Sequence, residues 1–299
     1  MKRFRAGRPR TQKAIFSAAT LRPLCLCAFL LFAARAALAQ ETRPGPPAAP
    51  DKARADALLA EGVQAFKRND FAAAIDLFQK ATEADPASAK THVYLATAKA
   101  HTYIPGDSSD ENEARGRTAI AEFRTALEME PENILALEGL GALLFHMARQ
   151  PYDRQKLMES RSVHYRHAQL KPEDPEPQYW IALIDWVIAF HGNTALRAEY
   201  NQTANPPLAR LDPLPPPLVD RLREQYGWLV DDGIVHAQKA IELRPDYADA
   251  LANLNLLYRQ KADQCPSEDE RANYLQAADG LVEQVVKLKK QKAAGSPAQ

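Results

Sequence analysis

The chain has 299 residues, 46% of them hydrophobic and 25% charged, with 22 Pro, 12 Gly and 3 Cys. This composition excludes a collagen-like chain, wholesale disorder and a disulfide-stapled miniprotein, and it leaves room for a sizeable core. The formal charge of zero hides an uneven distribution. Residues 1–39 hold eight bases (Lys2, Arg3, Arg5, Arg8, Arg10, Lys13, Arg22, Arg35) and no acid, so in the remainder 30 bases face 38 acids. An acidic body repels phosphate backbones, and no nucleic-acid partner is expected.

In chain order, residues 1–39 read as an address. Six bases between Lys2 and Lys13 precede an apolar run, and Ala37-Leu38-Ala39 supplies the small-x-small pattern of a signal peptide cleaved after Ala39. The twelve residues between Arg22 and Arg35 fall short of the roughly 20 that span a bilayer, so no stable membrane anchor is expected after cleavage. The expected location is periplasmic or secreted, with a mitochondrial transit peptide as the alternative. Cys25 and Cys27 leave with the leader, and Cys265 alone makes no internal bridge. Residues 40–50 (QETRPGPPAAP) form a Pro-rich flexible linker.

From Asp51 onward the period is helical, as in Leu58, Leu59, Gly62, Val63 and Phe66, with no sustained alternation. Self-similarity then appears. FAAAIDLFQKATEADP (71–86) aligns with GRTAIAEFRTALEMEP (116–131) through Ala74, Phe78, Ala81, Pro86 and Ala119, Phe123, Ala126, Pro131. DGIVHAQKAIELRP (232–245) keeps Ala240 and Pro245. Small residues let antiparallel helices approach, an aromatic fills the gap, and Pro ends the helix.

These residues resemble the tetratricopeptide repeat family, whose unit is a helix–turn–helix hairpin. The resemblance covers 51–290 in units 55–88, 89–133, 134–174, 175–247 and 248–290. It implies an all-α superhelical solenoid of about five hairpins with loop insertions, and together with the leader the chain reads as an exported, bacterial protein. The third unit departs from the pattern, with Ser160, His164 and His167 where small and aromatic residues are expected. Residues 101–110 (HTYIPGDSSD) interrupt the second hairpin. A Pro-rich loop insertion is expected at 193–217, followed by a long helix through Leu218, Leu222, Tyr226 and Leu229. Ser267 and Glu270 read as a capping box opening the last helix, and 291–299 as a disordered tail.

No catalytic signature is present: no H-E-x-x-H, G-x-S-x-G, phosphate-binding glycine loop or C-x-x-C-H. The expectation is no enzyme, no cofactor and no metal. His164 and His167, three apart on a helix, support the alternative of a metal-dependent hydrolase. Spacing places no acidic partner near them, and the bland reading is two half-exposed histidines. Tyr179, Trp180, Trp186 and Phe190 read as core before they read as a binding patch. Asp185, inside that apolar run, needs a partner, and Arg221 or Arg223 is the guess. Cys265 and the Asn201-Gln202-Thr203 sequon read as loop features without a role.

The resemblance further implies that first helices line a concave face for an unknown protein or peptide partner. On this chain that face selects Leu59, Val63, Phe66 and Lys67; Lys90, Val93 and Thr97; Leu135, Glu138, Ala142 and Phe145; and Tyr179, Leu183 and Trp186. Family members that clamp a terminal carboxylate use Lys and Asn there; Leu59 and Val63 stand in their place and disfavour that role. The function expected is a non-enzymatic interaction scaffold. One variant of it seats the Pro-rich insertion in the groove in cis. The sequence leaves the oligomeric state open.

Overall fold

A computed structural model describes residues 50–209 and 212–295. The expected leader and most of the expected linker, together with the last four residues, lie outside the described residues. Ten helices follow one another as five antiparallel pairs: α1 (Lys52–Lys67) with α2 (Phe71–Ala84), α3 (Ala89–His101) with α4 (Asp110–Met129), α5 (Ile134–Arg149) with α6 (Arg154–Leu170), α7 (Pro175–Asn201) with α8 (Pro216–Leu243), and α9 (Ala248–Ala262) with α10 (Glu268–Gly295). No strand occurs among the described residues. None of these helices is long and apolar enough to cross a membrane.

Local chemistry sets the helix starts. Asp51, Asp70, Ser88, Ser109, Asn133, Asp153 and Asp174 each accept a backbone N–H of the first turn, satisfying a donor that the helix leaves orphaned. The predicted box at α10 forms its first half, Glu270 N donating to Ser267 Oγ at 3.2 Å. Pro216 and Pro217 begin α8, where their missing N–H costs nothing.

Small residues then set the pairing. A Cβ built at Gly62 would overlap the Phe78 ring, so glycine is what lets that buried aromatic sit flat on α1. Gly139 does the same for Phe123, an aromatic of the preceding unit, and thereby locks unit two onto unit three. Ala74, Ala81, Ala119, Ala126 and Ala240 are fully buried at the equivalent contacts. Beyond the hairpins, first helices touch first helices: α1 packs on α3, α3 on α5 and α7 on α9. That stacking makes the array a solenoid, because each hairpin buries its apolar face on its neighbours.

The insertion departs from expectation. Helix α7 continues eight residues past Asn193 to Asn201 instead of yielding to a loop, and among the described residues the irregular part shrinks to 202–209 and 212–215. Two packing features carry the extension. Leu196 and Tyr200 pack against Leu214, Leu218, Val219 and Leu222, and Gly192 admits the Tyr226 ring into space that a Cβ would occupy. Asn201 ties off the loop, donating from Nδ2 to the Leu208 carbonyl (3.0 Å) and accepting from Leu208 N (2.8 Å). Leu208 and Leu214 thus fold onto α7 and α8, and the variant with the insertion in the groove is corrected. The C-terminal helix also runs to Gly295, five residues into the expected tail.

Candidate functional groove

The first helices of units one to three enclose a cavity of about 600 Å³. Its walls are Val63, Phe66 and Lys67 of α1, Val93, Tyr94 and Thr97 of α3, and Leu135, Glu138, Gly139 and Ala142 of α5. Phe78 reaches in from α2 to form the floor, its ring 5.4 Å from that of Tyr94. The lining is apolar apart from Thr97, the Tyr94 hydroxyl and two charges, Lys67 on the α1 wall and Glu138 on the α5 wall. Leu135 is 61% exposed and presents its side chain on the α5 wall. The volume falls within the roughly 300–1,000 Å³ of ligand sites.

Neither a family model nor a curated protein sequence matches the chain. Solved structures do. MamA matches at 16% identity and a TM-score of 0.50 over 82% of this chain and 97% of its own. MamA of Desulfovibrio magneticus RS-1 matches at 15% identity and a TM-score of 0.52, over 80% of this chain and 96% of its own. YrrB, described as a TPR protein with an unusual peptide-binding site, matches at 15% identity and a TM-score of 0.50, over 81% of this chain and 94% of its own. The fold is that of a tetratricopeptide repeat solenoid.

Eight of the residues expected on the concave face of such a solenoid line the cavity: Val63, Phe66, Lys67, Val93, Thr97, Leu135, Glu138 and Ala142. The others do not. Leu59 is buried in the hairpin core with Phe78 and Leu95, and Phe145 is buried with Leu157, Ile184 and Leu229. Both lie on the edge of the apolar stripe, where a neighbouring helix covers them. Lys90 stands outside, 3.6 Å from Asp56 on α1. Leu183 and Trp186 are half-buried against the core that contains Phe145, and Tyr179 packs beside Tyr247. The aromatic run of α7 is therefore mostly core, although Phe190 remains exposed. Three lining residues, Tyr94, Gly139 and Phe78, are absent from the face that the sequence selects. Tyr94 and Gly139 adjoin Val93 and Glu138, and a stripe drawn one residue wider includes them. Phe78 carries no such signal, since it belongs to a second helix and is seen only across Gly62.

Tetratricopeptide packing also explains the odd third unit. Ser160 replaces the small residue and donates to the Gly141 carbonyl at 2.8 Å. His164 replaces the aromatic, lying flat on Trp180 (centroids 5.3 Å apart, 1° between planes) and against Gly141, whose virtual Cβ is 2.5 Å from its Nε2. Burial pushes its pKa down to about 3, with His167 adding to the effect, so the ring is neutral. His167 replaces the alanine. Both histidines are about 1% exposed and not half-exposed as expected, because these positions face the partner helix. His164 is taken up by stacking and is not among the metal-ligand atoms gathered near His167. The hydrolase alternative, which needs the two imidazoles on one ion, is accordingly corrected.

Asp185 is fully buried, and its partner is Arg161 of α6 rather than Arg221 or Arg223. Arg161 Nε donates to Oδ1 at 2.6 Å and a terminal nitrogen to Oδ2 at 3.3 Å, while the same guanidinium also binds Asp232 of α8. Tyr165 donates to Asp232 (3.0 Å) and meets His236 (2.8 Å), which continues to Gln178 (2.5 Å). Burial pushes the Asp185 carboxyl up to about 7, against the pull of Arg161. Arg221 instead binds Glu199 on the surface, and Arg223 binds Asp220. Cys265, half-buried, donates to the Lys261 carbonyl (3.3 Å), and burial holds its thiol above the ordinary range.

Proposed function

We propose that the protein is a non-enzymatic scaffold that holds a short apolar segment of a partner protein in the α1–α3–α5 groove. The observation that carries this reading is the cavity itself: an apolar trough floored by Phe78, walled by three successive first helices and left open in the folded chain. Desolvating Leu135, Val63 and Phe66 supplies the affinity, and the Lys67 and Glu138 ends orient the segment. YrrB, of the same fold, is described as having a peptide-binding site, which supports a peptide as the occupant. With Leu59 buried and Val63 in the wall, the positions where a terminal-carboxylate clamp would carry Lys and Asn are apolar, which disfavours that mode. Selection from a displayed random-peptide library should enrich sequences with two or three bulky apolar residues at helical or alternating spacing. Enrichment of acidic C-termini, or of nothing above background, overturns the assignment.

The basic, acid-free leader ending Ala37-Leu38-Ala39 supports export to the periplasm or beyond. Protein recovered from its native cells should begin at Gln40 on N-terminal sequencing. A chain that begins at Met1 counts against export.

A further inference from the structure

His167 occupies the position that Ala81, Ala126 and Ala240 fill in other units. It is 1% exposed, and neither ring nitrogen has a hydrogen-bond partner. Packing alone favours the alanine of the other repeats, because a buried imidazole must find polar partners that a methyl group does not need. Nε2 nevertheless lies beside two carboxylates, Asp174 Oδ2 at 3.3 Å and Glu138 Oε1 at 3.9 Å, in ion-pair range but off the line of a hydrogen bond. The three ligand atoms lie within 4.8 Å of one another. They come from three elements: α5 supplies Glu138, α6 supplies His167, and the cap of α7 supplies Asp174.

We propose that Glu138, His167 and Asp174 form a binding site for a divalent transition-metal ion of the zinc class, pinning α5 and α6 to the start of α7. One imidazole and two carboxylates are borderline and hard donors that suit Zn²⁺, and three protein ligands leave a position for water or another donor. Asp174 is already oriented, because its Oδ1 accepts Glu176 N at 2.9 Å as the helix cap and leaves Oδ2 for the ion. The nearby Glu176 is not a competing ligand, since Arg244 (2.8 Å) and Tyr247 (2.7 Å) hold it. Burial, with the neighbouring Asp174 and Glu176, holds the Glu138 carboxyl above its ordinary range, as happens where acidic oxygens collect. The ion would neutralise that crowding. Glu138 belongs to both the groove wall and this site, so occupancy would set the charge that the α5 wall presents. No reaction is implied, and the site stands whether or not the groove binds peptide.

The test is titration of the tag-free, chelator-treated full chain with ZnCl₂ in an isothermal calorimeter. One equivalent should bind with a Kd below about 100 µM, a free energy of roughly −5.5 kcal/mol or better. His167→Ala, which restores the residue of the other repeats, should weaken binding at least tenfold. Asp174→Ser, which keeps a helix cap while removing the carboxylate, should do the same. His164→Phe should change it less than threefold. Saturating Zn²⁺ should raise Tm in the unaltered chain and not in His167→Ala. No saturable binding below about 100 µM, or affinity unchanged in both ligand variants, overturns the site.

Discussion

Replacing Arg161 with Met should destabilise the protein by about 3–5 kcal/mol in urea unfolding at pH 8. Arg161 is the centre of a polar cluster in which α6, α7 and α8 meet, binding Asp185 and Asp232 together. Removing the guanidinium leaves Asp185 with no exposed surface and no cation, which is far costlier than never having had the pair. The loss should depend on pH, and its sign follows from proton linkage. Burial already holds the Asp185 carboxyl up to about 7, above its value in the unfolded chain, and without Arg161 it rises further. The folded variant therefore binds a proton that the unfolded chain gives up. The contribution of this group is fully present below about pH 4 and is lost as pH rises through 7 and beyond. Denaturant midpoints measured at pH 5 and pH 8 should show the larger deficit at pH 8. Asp185→Asn in the same background should recover part of the loss at pH 8 and little at pH 5. Equal deficits at the two pH values would mean that Arg161 acts through packing over Tyr165 and Trp228, not through charge.

A groove variant carrying Val63→Glu and Leu135→Glu should lose about 100-fold in affinity for a peptide selected on the unaltered chain, read by fluorescence anisotropy. Each substitution removes about 1.5 kcal/mol of apolar burial, and walls on different helices should add. Leu135→Glu alone should cost about tenfold without loss of stability, because that side chain is 61% exposed and supports no core. An affinity within threefold of the original in the double variant, with the fold intact by circular dichroism, would remove the α1–α3–α5 groove as the binding surface. Phe145 would make a poor probe. It is buried against Leu157 and Ile184, so a charge there would unfold the third and fourth units and mimic a binding defect.

Part of the groove is legible in the amino-acid sequence. Val63, Phe66, Val93, Thr97 and Leu135 follow from the resemblance to tetratricopeptide hairpins, which implies the face that each first helix turns to the groove. Leu59 and Phe145 fall outside the groove for a common reason: a stripe wide enough to bury a helix against two neighbours includes residues that those neighbours cover completely. The α7 residues fall outside it for another reason. Tyr179 packs with Ala240, Tyr247 and Ala250, and Trp186 with Ala237, Leu254 and Leu257, so α8 and α9 cover the face that would otherwise line the groove. The insertion in the fourth unit carries proline and asparagine signals for a turn, yet Leu196, Tyr200 and Tyr226 carry an equally strong signal for continued packing. The packing prevails up to Asn201.

What the sequence determined alone is everything that local chemistry decides. Capping side chains set most helix starts, prolines set several stops, and small residues opposite aromatics set which helices form a hairpin. These features act within one helix or between adjacent ones, so their spacing is visible along the chain. Only the tertiary structure decided the partners of the buried polar groups. Arg161 lies 24 positions from Asp185 and 71 from Asp232, and no period links them. The same holds for Glu138, His167 and Asp174, drawn from three consecutive helices. Their meeting depends on how one hairpin rotates against the next, which is set by the summed packing of many side chains and not by any one of them.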